Sequence, residues 1–277
     1  MIPRVAVPSS GRLREVVLVL LDHAGYSTTG LRGSGARATI DGIEFIEMRP
    51  RDAGSWLAAG RLDAAFISTD IVLEEELDNL GRMRLGLVRS DLVIASREDD
   101  GRHDATDLTG ATVATHLPGA TRRWFAERDI AAQVVAMGGA LEGVCAAGLA
   151  DAIADLRETG TSLAQNRLRV LETIHACEAE FVTTDNAPDD LTLRLRAALS
   201  ARRHRYLMLH LAPDRIDELT ALFPGLAAPT ILPLAGRNDL VAVHLVVPAA
   251  ALFARLSDLQ RIGATGIVAL PPDALLT

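Results

Sequence analysis

The sequence predicts an α/β protein with two consecutive α/β units and a C-terminal module that has the βαββαβ order of a ferredoxin-like fold. Short apolar runs alternate with helical patterns through the first 169 residues, and this pattern restarts beyond Leu85. The last third differs in character, and the polar, turn-rich segment 183–190 precedes it. We therefore expect domains at 1–85, 86–169 and 195–277.

Composition limits the classes of function. With 49% hydrophobic and 23% charged residues, the 277-residue chain has the composition of an ordinary globular protein. Its net charge of −8 argues against a broad nucleic-acid surface. The N-terminus does not resemble a signal peptide, and no apolar run approaches the roughly 20 residues of a membrane span. Cys145 and Cys177 fit no metal-binding pattern and are predicted to be buried free thiols. We expect a cytoplasmic protein without nucleic-acid or membrane partners.

In the first unit, predicted strands end in residues suited to anionic ligands. The turn Ser9–Arg12 follows one strand and is rich in small residues. Arg49–Asp52 forms a stiff cationic corner whose guanidinium forks suit phosphate, although a solvated arginine pair would give the same pattern. Ser68–Asp70 lies at a carboxyl end, where ligands of open α/β sheets bind, whereas Glu74–Glu76 is expected on a solvated helix surface. The strands are predicted at Arg4–Val7, Gly42–Met48 and Arg61–Ile67, and the helices at Leu13–Ala24 and Trp56–Ala59.

The second unit contains the most informative stretch, a strand at Ala150–Leu156 followed by the loop Glu158–Ser162 and a helix. Gly160 can adopt a positive φ, and the hydroxyls around it can donate to an oxyanion near a helix start. Asp155 can accept hydrogen bonds from sugar hydroxyls or hold Mg²⁺ near a phosphate. An ordinary Ser/Thr helix cap is the alternative explanation. Further strands are predicted at Leu92–Ala95, Ala111–Thr115 and Ala132–Met137, and a helix at Arg122–Arg128.

The C-terminal module is predicted to form a compact domain that binds a small metabolite or pairs with copies of itself. Its strands are expected at His204–Leu211, Ile231–Leu234, Val241–Val247 and Gly266–Leu270, and its helices at Pro213–Leu222 and Ala249–Ile262.

Seven short motifs follow one another with characteristic spacing: Ser10–Leu13, Arg49–Asp52, Thr121–Arg123, Gly139–Glu142, Gly148–Leu156, Thr159-Gly160 with Leu163 and Asn166, and Pro224–Leu226 with Pro229–Leu234. Each motif is weak alone, but their order makes the set specific. Over nearly its whole length, the chain resembles the long form of ATP phosphoribosyltransferase, the first enzyme of histidine biosynthesis.

The resemblance implies a type II periplasmic-binding-protein-like catalytic core, with a return segment at about 170–185, and a regulatory domain that binds histidine. The implied activity is glycosyl transfer: N1 of ATP is joined to C1 of phosphoribosyl pyrophosphate, pyrophosphate is released, and Mg²⁺ is required. Feedback inhibition by histidine and assembly as dimers or hexamers are also implied. Displacement at an anomeric carbon requires positioning and charge stabilisation rather than a nucleophilic side chain.

The resemblance also assigns roles to residues of this chain. Phosphoribosyl pyrophosphate would be bound by Asp155, Glu158, Thr159, Gly160, Thr161, Ser162 and Leu163. The nucleotide would be flanked by Gly11, Arg12, Asp70, His116, Leu117 and Pro118. Arg12, Arg49, Arg51 and Asp155 would be catalytic, Glu142 and Asp155 would hold the metal, and Leu226, Pro229, Thr230 and Ala242 would bind histidine.

The chain departs from the family in the nucleotide half of the expected site. Ser9 and Ser10 stand where the family has a lysine, Ala65–Ser68 replaces a glycine-rich turn, and Leu117–Gly119 replaces Tyr-Pro-Asn. Two alternatives to an active enzyme therefore stay open. One is a divergent paralogue that uses another acceptor or serves as a regulatory subunit, and the other is a solute-binding protein of the same fold.

Overall fold

The structure is a computed structural model that describes residues 2–33, 36–224 and 228–276. It divides into two compact units. The first comprises the N-terminal segment up to Val19 together with Ser27–Pro188, and the second comprises Leu20–Tyr26 together with the chain from Asp189 onward. Within the described residues, no helix is both long and apolar enough to cross a membrane. Both cysteines are buried and free, as predicted.

The first lobe of the first unit is a six-stranded sheet with a parallel centre. Its parallel strands are β1 (Arg4–Pro8), β3 (Ile43–Met48) and β4 (Ala64–Ser68), and the others are β2 (Arg37–Ile40), β5 (Gly81–Arg84) and β11 (Ala179–Thr183). The order is β2-β3-β1-β4-β11-β5, with β11 antiparallel to both neighbours. Each parallel strand leads into a helix: α1 (Gly11–His23), α2 (Pro50–Ala58) and α3 (Thr69–Glu74).

The second lobe repeats this plan in five strands. Its parallel strands are β7 (Thr112–Thr115), β8 (Gln133–Ala136) and β9 (Ala152–Arg157), which lead into α4 (Pro118–Ala126), α5 (Leu141–Ala146) and α6 (Thr161–Gln165). Two long strands complete the sheet: β6 (Ser90–Arg97) runs antiparallel to β9, and β10 (Leu168–Cys177) runs antiparallel to β6, giving the order β10-β6-β9-β7-β8. The chain crosses between the lobes twice, and β11 makes the return. The expected type II periplasmic-binding-protein-like architecture is confirmed.

The second unit contains a four-stranded antiparallel sheet of order β13-β14-β12-β15. Alternate residues of β12, Leu207, Leu209 and Leu211, are buried in a cluster that also contains Leu219 and Leu252 from the helices. This arrangement confirms the ferredoxin-like fold. Its elements are α7 (Asp189–Arg203), β12 (His204–Leu211), α8 (Ile216–Leu222), β13 (Thr230–Leu234), β14 (Arg237–Pro248), α9 (Ala249–Ala254), α10 (Leu256–Arg261) and β15 (Thr265–Leu270).

Several element boundaries differ from the predictions for identifiable reasons. Helices α2 and α4 begin at Pro50 and Pro118, one turn or more before the predicted starts, because proline fits the first helical position, where no N–H partner is needed. The helix predicted at Ala249–Ile262 is broken at Arg255, which separates α9 from α10. Strands β2 and β10 were not predicted, because their polar residues weaken the apolar signal of a strand.

A buried ion pair fixes the start of α3. Glu180 of β11 is fully buried and accepts hydrogen bonds from the Arg82 guanidinium at 2.8 Å and from the Thr69 hydroxyl at 2.6 Å. Burial alone would raise the pKa of Glu180, but the bonds from Arg82 and Thr69 outweigh burial and lower it. The Thr69 N–H also donates to the Glu178 carbonyl at 3.0 Å. The beginning of α3, and with it Asp70, is thereby held against β11.

We predict that Arg82→Ala strongly destabilises the protein, because it leaves the Glu180 carboxylate buried without its charged partner. Breaking such a pair costs about 3–5 kcal/mol, which corresponds to a fall of roughly 10 °C in the thermal midpoint followed by circular dichroism. The control is Arg4→Ala, since Arg4 is exposed and its pair with Glu44 should be worth about 1 kcal/mol or less. Because the folded-state pKa of Glu180 is lowered, the stabilisation holds at neutral pH and declines as acid protonates it. Equal shifts in the two variants would contradict the prediction.

Candidate functional site

The residues predicted for the site follow the carboxyl ends of parallel strands in both lobes. Such ends meet at one edge of a sheet, where ligands of α/β folds bind. In the first lobe, Gly11 and Arg12 follow β1, Arg49 and Arg51 follow β3, and Asp70 follows β4. In the second lobe, His116, Leu117 and Pro118 follow β7, Glu142 follows β8, and the loop 158–163 follows β9.

The loop after β9 has the geometry of an anion cradle. Gly160 has φ +79°, in the left-handed region that favours glycine, and it precedes α6 directly. The hydroxyls of Thr159 and Thr161 lie 3.0 Å apart and are exposed, as is Ser162. Leu163 points the other way and is 7% exposed in the core of the second lobe. The buried leucine anchors the loop, and its hydroxyl face remains open.

Two ion pairs hold the end of this loop that follows β9. Arg12 Nη1 lies 2.6 Å from Glu158 Oε2, so a residue of the first lobe meets the loop of the second. Arg157 Nη2 lies 2.7 Å from Asp91 Oδ2, and the side chain of Arg157 passes beneath Gly160. The side chains of Arg12 and Glu158 are 63% and 47% exposed, so their pair is worth about 1 kcal/mol or less. A multiply charged ligand would exchange with either partner at little cost.

Asp155, at the end of β9, is the centre of an acidic group. Its Oδ1 accepts the Leu156 N–H at 2.7 Å and lies 3.4 Å from His116 Nδ1. Burial is the main cause that raises the pKa of Asp155, the charges of Glu142 and Asp70 add to it, and His116 opposes it. The side chain is 18% exposed and therefore accessible to a ligand. Three predicted site residues thus lie close enough to influence this carboxylate.

Asp70 is the most deeply buried member of the group, at 3% exposure. Its Oδ1 has no hydrogen-bond partner in the described parts of the chain. Burial raises the pKa of Asp70, while the Ser68 hydroxyl and the charge of His116 oppose the rise. His116 belongs to the second lobe, so its charge acts on Asp70 from the other lobe.

Glu142 lies beside the anion loop. Its Oε1 accepts the Ser162 hydroxyl at 2.5 Å, which connects α5 to the loop after β9. Over residues 2–33, 36–224 and 228–276, no group of three or more histidine, cysteine or acidic side chains has the arrangement of a metal site. A metal here would therefore require ligands from a substrate or from water.

The acidic run Glu74–Glu76 at the end of α3 was predicted to be solvated, and for Glu74 this was wrong. Its side chain is 9% exposed, and its oxygens accept the N–H groups of Gly119 and Ala120 at 3.1 and 2.8 Å. Arg51 lies 3.7 Å from Glu74, whereas Arg49 is exposed at the start of α2. No local pattern could indicate the burial of Glu74, because its partners come from the other lobe, about 45 residues later. Arg123 belongs to one of the seven motifs, but its hydrogen bonds to the carbonyls of residues 73 and 74 were not predicted, for the same reason.

Leu117 and Pro118, which were predicted to flank the nucleotide, differ in how deeply they are buried. The side chain of Leu117 is completely buried in the apolar cluster that includes Ala120 and Cys177, and its N–H donates to Thr115 Oγ1 at 3.0 Å. Pro118 begins α4 and is half-buried. Leu117 therefore contributes its backbone, rather than its side chain, to the edge of the site.

The residues predicted to bind histidine belong to the second unit. Thr230 pairs with His244, and Leu232 pairs with Ala242, so Thr230 and Ala242 share the sheet face opposite the buried leucines. Pro229 immediately precedes Thr230 and is half-buried. Leu226 lies outside the described residues.

Comparisons with known proteins agree with this geometry. A family model described as ATP phosphoribosyltransferase matches residues 49–201, and one described as HisG, C-terminal domain, matches residues 201–272. ATP phosphoribosyltransferases from Methanococcoides burtonii and Halobacterium salinarum are 32% and 34% identical to this chain, with 99% of each chain covered. A solved ATP phosphoribosyl transferase (HisG:HisZ) complex from Thermotoga maritima is 28% identical with a TM-score of 0.57, covering 66% of this chain and 87% of that one.

Proposed function

The chain belongs to the ATP phosphoribosyltransferase family, and we propose that the cleft between the two lobes of its first unit is where it joins ATP to phosphoribosyl pyrophosphate. It is a phosphoribosyltransferase of histidine biosynthesis. The observation that carries the assignment of the cleft is the open anion loop around Gly160, directly beyond the carboxylate of Asp155.

The second lobe would bind the phosphoribosyl half of the substrate. A phosphate monoester fits the loop because the hydroxyls of Thr159, Thr161 and Ser162 are exposed around a backbone that a glycine holds open. Asp155, near the end of the strand that precedes the loop, accepts hydrogen bonds from the ribose hydroxyls. Glu158 is the first residue of the loop, and the buried side chain of Leu163 anchors the loop to the core.

Pyrophosphate would be bound by Arg12, Arg49 and Arg51. Arg12 already reaches the loop through Glu158, and the exposed pair would give way to a ligand with more charge. Arg51 lies 3.7 Å from Glu74, which leaves its donor fork available for a closer partner. These cations would stabilise the leaving group and so take over the role of the family lysine, which Ser9 and Ser10 replace in this chain.

The nucleotide would bind on the side of Gly11, Asp70 and His116. Gly11 has φ +77° at the start of α1, and apart from its chain neighbours and its own helix backbone, no atom of the described residues lies within 4 Å of where its Cβ would be. The backbone there is open to a triphosphate. Leu117 and Pro118 complete this edge through the turn that precedes α4.

Mg²⁺ fits the acidic group beside the loop. Asp155 and Glu142 repel each other, and a divalent cation would relieve that repulsion. Mg²⁺ commonly binds to one or two carboxylates and completes its shell with substrate phosphates and water, which agrees with the lack of a larger ligand cluster among the described residues. When bound, the ion would neutralise charge on the pyrophosphate.

The side chains would act by position and charge. Asp155 fixes the ribose so that C1 faces the adenine, and the loop holds its phosphate. As N1 bonds to C1, the C1–O bond breaks and the electron pair leaves with pyrophosphate. Arg12, Arg49 and Arg51 stabilise that developing charge, which is the main requirement of this displacement.

Incubating the chain with ATP, phosphoribosyl pyrophosphate and Mg²⁺ tests this function directly. We expect the near-ultraviolet absorbance of the N1 adduct to rise and to require all three components. An Arg51→Ala variant should retain binding of ribose 5-phosphate but lose at least 10-fold in adduct formation, because a charge-assisted contact to the leaving group is lost. Tight binding of phosphoribosyl pyrophosphate without adduct would instead indicate the divergent paralogue and contradict the proposal.

The second unit would supply regulation by histidine and self-association, in a cytoplasmic enzyme. Thr230 and Ala242 share a partly exposed sheet face with His244 and Tyr206, whose hydroxyl lies 2.8 Å from His244 Nδ1. This face offers hydrogen-bonding groups for an amino acid. Exposed Val268 and Leu270 on β15, the edge strand opposite β13, suit a dimer or hexamer of this chain.

If the second unit binds histidine, L-histidine should raise the thermal midpoint of the full chain. A ligand at 100 times its Kd stabilises by about 2.7 kcal/mol, and L-alanine serves as the ligand control. Thr230→Arg should remove the shift by filling the face, whereas Thr265→Arg, at the opposite edge of the same sheet, should retain it. No stabilisation of the wild-type chain would rule out regulation through this face.

A further inference from the structure

Asp70 has a buried polar atom that the other described residues of the cleft leave without a partner. One of its carboxylate oxygens is buried and has no hydrogen-bond partner within the residues that the structure describes. Buried polar atoms in native proteins are nearly always satisfied, so an exception requires an explanation. A ligand that donates a hydrogen bond to this oxygen provides one.

The surroundings of Asp70 define where such a ligand would lie. Thr69 is held by the Glu180 carboxylate and the Glu178 carbonyl, so the first turn of α3 is fixed and the acceptor is preorganised. The charge of His116 opposes the rise in the pKa of Asp70. The charge of Asp70 in turn contributes to raising the pKa of Asp155 and that of the Cys177 thiol, for both of which burial is the main cause. Asp70 therefore belongs to the group of charges that also contains His116 and Asp155, the residue proposed to hold the ribose.

The reaction identifies the donor that reaches this place. The ribose carbon that reacts is C1, and the edge of ATP that must approach it carries N1 and the adjacent 6-amino group. When N1 bonds to C1 and pyrophosphate leaves with the electron pair of the C1–O bond, the purine ring becomes cationic. That positive charge is shared between N1 and the 6-amino nitrogen, whose hydrogens become stronger donors.

We propose that Asp70 recognises the 6-amino group of adenine: its unpartnered oxygen accepts the N–H bond and stabilises the charge that develops on the ring. The inference rests on the proposed function, and it explains how the enzyme would select adenine over other purines. A 6-oxo purine presents an acceptor to this oxygen and is rejected. A purine without a 6-substituent retains N1 but loses the contact.

The test compares ATP with purine ribonucleoside triphosphate, which lacks the 6-amino group. For the wild-type chain, we expect kcat/KM for adduct formation to favour ATP. In Asp70→Ala, and in the closer isostere Asp70→Asn, this preference should fall by roughly 10- to 100-fold, because one hydrogen bond to a charged group is removed. The lower intrinsic reactivity of the analogue cancels, since it affects every variant alike.

Controls separate this inference from the function on which it rests. Asp99→Asn changes an exposed aspartate that follows the C-terminal end of β6. This variant should leave the preference for ATP over the analogue unchanged. If a variant makes no adduct, the two Kd values are compared by calorimetry, which needs no turnover. An unchanged preference in Asp70→Ala, or a loss confined to phosphoribosyl pyrophosphate binding, overturns the role of Asp70 while wild-type activity stands. Absence of adduct in the wild type refutes the function itself.

Discussion

A short loop at the carboxyl end of β9 is the feature on which the rest of the site depends. Gly160 can hold its left-handed conformation without strain, and the hydroxyls around it are exposed, whereas Leu163 fastens the loop to the core. Because every parallel strand of both lobes ends at a ligand-facing edge, the loops that contain Arg12, Asp70 and His116 gather near it. The topology thus converts distant motifs into one cleft.

The cleft combines rigid and exchangeable contacts. The buried network of Glu180, Arg82 and Thr69 holds Asp70 in place, so its acceptor is oriented before any ligand arrives. The pair of Arg12 with Glu158 is exposed and weak, which suits a cation that has to change partners during binding. Preorganised acceptors and exchangeable cations together meet the needs of a displacement in which charge moves from pyrophosphate to the purine.

Local patterns predicted much of the fold and the loops of the site. Strand periodicity located β1, β4 and β9, and the spacing of glycine and hydroxyl residues located the anion loop. These patterns did not predict contacts between segments that are far apart in the chain. Glu74 was expected in solvent, yet it accepts the N–H groups at the start of α4, and the burial of Leu117 depends on the other lobe. Such pairings leave no periodic signal, since each partner looks like an ordinary surface or loop residue by itself.

The most direct measurement is the calorimetric titration of phosphoribosyl pyrophosphate into the wild-type chain, Gly160→Asp and Gly110→Asp. Both glycines have a left-handed φ, 79° and 78°, and at each the space for a Cβ is free of close contacts, so backbone strain is matched. Gly110 precedes β7 at the opposite edge from the cleft. We expect Gly160→Asp to abolish binding, because its carboxylate occupies the phosphate position, and Gly110→Asp to bind like the wild type. Equal affinity in all three proteins would contradict the assignment of the loop.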